Sequence, residues 1–254
     1  MLIDYHIHAV AHGEYDFTSE WIKQFMIQAT KKNIKEIGFS EHDEFVNKID
    51  LSVVNNTKEK IKDIDVKLGL EVDYIPDREE YIKQLTINKN YDYIIGSLHF
   101  INGWGFDHPD NKHTFDTKPI DNIYENYFDL LISLVESNLF DIVGHLDLIK
   151  IWGHRPKNKS VIDYVMPVLT RIKKQDLVIE INSGGLRKPV SEIYPSADIV
   201  NAMFESNIGI TFGSDAHHPD QVGEGLNKAY DLALKAGYRY GVNFKNRKKE
   251  LFYI

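Results

Sequence analysis

From one end of the chain to the other, short β-branched apolar runs alternate with longer stretches whose apolar residues recur every three to four positions. The short runs predict strands at residues 2–6, 36–40, 66–72, 93–97, 141–144, 177–181 and 209–212. The longer stretches predict helices at 19–32, 55–64, 78–87, 120–137, 160–174, 197–206 and 222–236. In 120–137 the apolar residues fall at 120, 123, 124, 127, 128, 131, 132, 134 and 135, which is a helical stripe. Asn33 and Gly237 stand where helix stops belong. Strand-helix units in strict alternation imply parallel strands covered by helices, and so an α/β closed barrel or a doubly wound sheet. No linker or charge break divides the chain, which reads as one domain over residues 1–254. The polar, turn-rich segment 102–118 reads as a long loop after the fourth strand, either a lid or an exposed excursion.

Composition narrows the chemistry. The 254 residues are 43% hydrophobic and 27% charged, an ordinary globular balance. No apolar run approaches the roughly 20 residues needed to span a bilayer. Met1-Leu2-Ile3-Asp4 has no basic region followed by an apolar core, so no signal peptide is expected. Without cysteine, any metal must be held by nitrogen and oxygen, which suits a cytoplasmic enzyme. A net charge of −8 with no basic run argues against a general nucleic-acid binder. The eleven histidines are informative by position.

Side chains two apart on a strand face the same way, so His6 and His8 form a pair at the end of the first predicted strand. His12 follows in the next loop. The second strand ends in Ser40-Glu41-His42-Asp43, and the third carries Glu71 and Asp73. The fourth leads to His99, the fifth to His145 and Asp147, and the seventh to Asp215 and His217. In α/β barrels the carboxyl ends of the strands converge on one face, where active sites are built. Six strands each delivering a metal-competent group to that end point to a shared site, and a sulfur-free donor set suits Zn, Fe or Mn.

The set His6-x-His8, Glu41-His42, Gly69-Leu70-Glu71, Ser97-Leu98-His99, Gly144-His145 and Ser214-Asp215-x-His217 resembles the PHP (polymerase and histidinol phosphatase) family over nearly the whole chain. Two further stretches, Phe100 with Gly103-Trp104-Gly105-Phe106-Asp107 and Ile181 through Pro189, resemble its monofunctional histidinol-phosphate phosphatases. The resemblance implies a distorted, TIM-like (β/α)7 barrel around a trinuclear divalent metal cluster. One ion would take His6, His8, Glu71 and Asp215; a second would share Glu71 and take His99 and His145; a third would take His12, His42 and His217. Two departures stand out: the loop from His8 to His12 is shorter than the family pattern, and Glu41 stands where many relatives have Asp.

Closely spaced divalent ions neutralise a phosphomonoester dianion, hold a hydroxide at neutral pH for attack on phosphorus and stabilise the leaving oxygen. Arg155 and Arg187, after strands at the same face, are candidates for clamping phosphate. His154, Asp43 and Asp73 are candidates for proton donation or for orienting ligands, Asp147 for orienting His145, and Trp104 and Phe106 for lining an imidazole pocket. His108, His113 and His218 read as bystanders, and Asn182 and Ser183 as turn residues. The leading expectation is a metal-dependent phosphatase hydrolysing the small substrate L-histidinol phosphate in histidine biosynthesis. The alternatives are a phosphoesterase acting on nucleotides, oligonucleotides or phosphotyrosine protein, and, in a different class, a non-catalytic metal-binding module.

Overall fold

The computed structural model describes residues 1–58, 61, 64–87 and 89–254. In chain order the elements are β1 (Leu2–Ile7), α1 (Ser19–Lys31), β2 (Ile34–Phe39), α2 (Leu51–Lys58), β3 (Asp65–Asp73), α3 (Glu79–Thr86), β4 (Tyr93–Ser97), β5 (Phe100–Ile101), β6 (Trp104–Gly105), α4 (Ile120–Glu136), β7 (Ile142–Val143), α5 (Val161–Gln175), β8 (Val178–Asn182), α6 (Ala197–Glu205), β9 (Gly209–Gly213), α7 (Leu226–Ala236), β10 (Tyr240–Lys245) and β11 (Lys248–Tyr253). Local chemistry sets many of the boundaries. Thr18 caps α1 by accepting from the Trp21 N–H. Ser160 and Asp163 form a reciprocal capping box on α5, and Asn33 and Gly237 take the left-handed conformation at helix stops. The expected helix at 222–236 begins only at Leu226, because Gly223 and Gly225 both have positive φ. The helix expected at 55–64 lies instead at Leu51–Lys58, and the end of that expectation falls partly outside the described residues.

All seven predicted strands join one parallel sheet in the order β1-β2-β3-β4-β7-β8-β9. The sheet curls until its edges meet: the His8 N–H donates to the Ala216 carbonyl (2.8 Å) and the Ala216 N–H to the His6 carbonyl (3.1 Å). Asp4 rivets the same seam, accepting from the Ser214 N–H (2.8 Å), the Ser214 hydroxyl (2.6 Å) and the Gly223 N–H (2.8 Å). The result is a nearly closed seven-stranded (β/α) barrel with an apolar layer between strands and helices, including Ile22, Phe25, Val165, Leu169 and Ile199.

Two hairpins were not anticipated from sequence. The two-residue strands β5 and β6 pair antiparallel across the start of 102–118, which then runs into a 3-10 turn at Pro109–Asp116. That segment is mostly exposed, as an excursion would be, and is anchored by the buried Phe106 and Phe115. The second hairpin, β10 and β11, closes the barrel at the end where the strands begin. Its Phe244 N–H donates to the Tyr5 hydroxyl (3.1 Å), and Asp92 and Asp141, just ahead of β4 and β7, hold the Asn246 N–H (3.0 Å) and the Arg247 guanidinium (2.8 Å). Inside this floor Tyr5 and Tyr93 stack with ring centroids 4.6 Å apart. Gly38 is required beneath them, since a Cβ there would come within 1.8 Å of the Tyr93 hydroxyl. Among the described residues no helix is long and apolar enough to cross a membrane.

Candidate metal centre

Every barrel strand delivers a polar side chain to the rim where the strands end, and Glu71 stands at the centre of what they build. Five imidazoles approach its carboxylate: His42 Nδ1 at 2.9 Å, His145 Nε2 at 3.0 Å, His6 Nε2 at 3.2 Å, His8 Nε2 at 3.5 Å and His99 Nε2 at 3.9 Å. Asp215 lies on the far side of His8, with Oδ1 3.5 Å from His8 Nε2 and 3.6 Å from His217 Nδ1. His8 and His42 stack with centroids 4.1 Å apart, and His217 lies 4.5 Å from His8. A one-residue irregularity in the β1–β2 register between Asp4 and Ile7 interrupts strict alternation, yet His6 and His8 still converge, with ring centroids 4.9 Å apart.

Outer partners fix the rings. His6 Nδ1 meets Glu180 Oε1 at 2.8 Å, His99 Nδ1 is held by Asp73, and the Asp215 carbonyl faces His217 Nδ1 at 3.0 Å. In each case Nε2 is the nitrogen left for a ligand, the usual arrangement of an imidazole oriented by an oxygen behind it. Glu180 is the important residue missed in the sequence. It sits on β8, the strand credited with no ligand, and also accepts from the His145 N–H (3.0 Å) and the Asn182 amide (3.1 Å). An acid inside the apolar run Val178-Ile179-Glu180-Ile181 was the available signal, because a buried carboxylate needs a partner. Gly213 makes room for it: a Cβ there would lie 2.0 Å from Glu180 Oε1.

Electrostatics at the rim favour cations. Burial works against ionising Glu71, but His6, His42 and His99 hold its carboxyl well below the usual range. In return, Glu180 and Glu71 overcome burial and raise His6 well above the ordinary imidazole value. His8 goes the other way, lowered by burial with His42 and His217 beside it, and His217 is lowered by burial to about 4. Neutral imidazoles at His8 and His217 offer lone pairs.

The donor set fits a divalent metal on one further observation. Glu71 Oε2, His6 Nε2, both nitrogens of His8, His42 Nε2 and His145 Nδ1 are buried without a hydrogen-bond partner. Polar atoms grouped this closely and left unpaired cost roughly 1–3 kcal/mol each unless a ligand such as an ion takes them up. Among the described residues, three sets have donor atoms within 4.8 Å of one another: His6, His8 and Glu71; Glu71, His99 and His145; and His8, His42 and His217. His12 stands just outside the last set, its ring 4.8 Å from His217 and 5.4 Å from His42.

Other expectations are redirected. Arg155 does not face this cleft; it pairs with Glu192 at 2.7 Å and donates to the His154 carbonyl at 3.0 Å. The His154 ring stacks on Phe115 at 4.7 Å beside a separate surface depression. Arg187 donates to the carbonyls of Ser214 (2.7 Å) and Asp215 (2.8 Å), bracing a residue held at φ +56°. Asp43 lines the cleft but is bound to Arg78 at 2.7 Å, and Asp147 is spent on Lys150 (2.9 Å) and the Ser196 N–H (3.0 Å), not on His145. Trp104 packs on Phe115 and Phe106 on Tyr127, so neither lines an imidazole pocket. Asn182 does shape its turn, accepting from the Gly184 N–H at 2.8 Å. Glu41 accepts from the Ala9 and Val10 N–H groups, so the longer acid fixes the loop carrying His12. The cleft above the cluster measures about 330 Å3, and the residues not foreseen in its wall include Glu44, Phe100, Asp107 and Lys188.

The model of the PHP domain family matches residues 4–184. The chain belongs to that family. A protein of Deinococcus radiodurans named "Probable histidinol-phosphatase" is 36% identical over 187 residues, covering 74% of this chain and 70% of that one. The histidinol-phosphatase of Bacillus subtilis is 27% identical over 261 residues, covering 87% of this chain and 95% of its own. The structure of Lactococcus lactis histidinol phosphate phosphatase, complexed with zinc, L-histidinol and phosphate, superposes with a TM-score of 0.81. That likeness spans 98% of both chains at 19% identity and shows the shared PHP-type fold.

Proposed function

We propose that this chain, acting as one phosphoesterase domain over residues 1–254, is a metal-dependent phosphatase that hydrolyses L-histidinol phosphate to L-histidinol and phosphate. The observation that carries the reading is Glu71, buried among five imidazoles within 3.9 Å, four of which keep an unpartnered nitrogen, beneath an open cleft. The relatives named histidinol-phosphatase supply the substrate. Three divalent ions are proposed, zinc foremost because zinc is bound in the Lactococcus lactis neighbour.

His6, His8, Glu71 and Asp215 would hold one ion, and Glu71, His99 and His145 a second. His42 and His217 would hold a third, which His12 completes, since His8 Nε2 already lies between Glu71 and Asp215. Bound there, the ions would neutralise phosphoryl charge and acidify water to a neutral pKa. The chain's own residues prepare the rest. Glu180 and Asp73 keep the His6 and His99 rings turned toward the cleft, and Arg187 holds the Asp215 backbone in place. Lys188, the one lysine or arginine among the described residues lining the cleft, is placed to meet a phosphate oxygen. A small phosphorylated substrate, no nucleic-acid partner and a cytoplasmic place in histidine biosynthesis belong to the same reading.

The test is a turnover panel with metal analysis on the same sample: histidinol phosphate, a 3′-phosphorylated nucleotide and phosphotyrosine. Phosphate release concentrated on histidinol phosphate supports the proposal. Preference for either other substrate would replace it, and no turnover by the fully metallated protein would favour a non-catalytic module.

A further inference from the structure

Among the described residues the cleft wall contains six carboxylates, and most are already engaged. Glu71 and Asp215 face the imidazoles, Asp73 holds His99, and Asp43 binds Arg78. Glu44 and Asp107 have no ion pair or hydrogen bond among the described residues, and only Asp107 is half-buried. A carboxylate in a binding wall with no partner of its own is free to take a cationic ligand group.

The backbone leading to Asp107 is fixed. The Phe106 N–H donates to the His99 carbonyl (3.2 Å), the Phe106 carbonyl accepts from Trp152 Nε1 (2.8 Å), and the Phe106 ring is fully buried against Tyr127. This places Asp107 on the His99 side of the cleft. Lys188 lies on the other side, next to Arg187, which is bound to the Ser214 and Asp215 carbonyls at the edge where the His12 ring lies 4.8 Å from His217. The rings of His12 and His99 flank His42, at 5.4 Å and 5.8 Å. The cleft is therefore polarised across the donor cluster, cation at one edge and anion at the other. A ligand carrying a phosphate and an ammonium complements that pattern, whereas a nucleotide, with no ammonium beside its phosphate, does not.

We propose that Asp107 is the specificity-determining residue of this cleft, binding the α-ammonium of an amino-alcohol phosphate while phosphate lies toward Lys188 and the metal donors. The assignment rests on the phosphatase reading above and goes further by naming the group that recognises the substrate's positive end.

The experiment compares zinc-loaded wild type with Asp107→Asn and Asp107→Glu. Each enzyme is assayed on histidinol phosphate and its analogue lacking the amine, and on phosphoethanolamine and ethyl phosphate. In Asp107→Asn the ratio of kcat/KM for the ammonium-bearing to the ammonium-lacking partner of each pair should fall roughly 10- to 100-fold, the scale of one charge-assisted hydrogen bond. The change should lie mainly in KM, metal content should match wild type, and Asp107→Glu should restore part of the ratio. An unchanged ratio, or equal losses on both partners with falling kcat, would overturn the assignment and place Asp107 in the chemistry or in metal binding. If wild type ignores histidinol phosphate, the proposed function fails, and the ethanolamine pair still decides the role of Asp107 by the same ratio.

Discussion

At the closed end of the barrel, Tyr5, Glu36, Lys67 and Tyr93 are buried together; at the open end, so are His6, His8, Glu71 and His145. The floor spends its polar atoms on one another. Tyr5 donates to Glu36 and accepts from the Phe244 N–H, Tyr93 donates to the Tyr5 carbonyl at 2.6 Å, and Lys67 lies 3.0 Å from Asp65 and 3.6 Å from Glu36. Asn243 Oδ1 is an exception there. The rim leaves the lone pairs of its central groups unspent. Glu36 in the floor is moved up through burial, whereas Glu71 and Asp215 at the rim are held well down against burial because imidazoles surround them. A buried polar group that is fully paired holds structure together, and one kept unpaired in company awaits a ligand.

The comparison breaks most readily at Glu71. Replacing it with Gln should remove shared ligation and lower phosphatase activity by on the order of 10^3-fold or more, since losing a single electrostatic stabiliser already costs roughly 10^2- to 10^3-fold. Metal analysis of the same variant should show ions missing; full metal content with full activity would end the metal-centre reading. A chelator should silence wild type likewise, and added zinc should restore it.

Glu180→Gln is the next largest. The carboxylate behind His6 should be worth roughly 10- to 100-fold in metal affinity or activity, as for other outer partners of ligating histidines. A metal titration that leaves affinity unmoved would make Glu180 a floor-type residue placed at the rim.

Arg187→Ala separates two roles. A raised KM and lowered kcat with metals retained would mean a phosphate clamp. Weaker metal binding, the outcome expected from its bonds to the Ser214 and Asp215 carbonyls, would mean support of a ligand. A loss of roughly tenfold or more in kcat/KM is expected either way, in keeping with other outer supports.

The smallest effect belongs to the floor and is a pH effect. A carboxyl whose folded pKa is raised binds its proton more tightly in the folded state. Its contribution is therefore favourable below the ordinary glutamate value of about 4.3 and is lost as pH rises through the folded value. Glu36→Gln removes that dependence, so denaturant melts should show the variant gaining on wild type between roughly pH 4 and neutrality. Phosphatase activity should stay the same. Glu71 and Asp215 carry the opposite sign: their depressed values contribute stability above the ordinary carboxylate range that is lost as pH falls.

The amino-acid sequence by itself determined the alternating architecture, the seven parallel strands and the metal-competent residues at their ends. These follow from local rules: the period of apolar positions names the element, and a residue at a strand's carboxyl end in an α/β barrel has one rim to occupy. Tertiary structure alone decided where long side chains and outer partners went. Arg155 turned to Glu192, 37 positions away, and Arg187 to backbone carbonyls across the seam; Glu180 met His6 from 174 positions away, and the last hairpin found Tyr5. A strand end is set by its neighbours in sequence, but a guanidinium or carboxylate can reach in several directions and goes to whichever opposite charge or open acceptor the folded barrel has brought near.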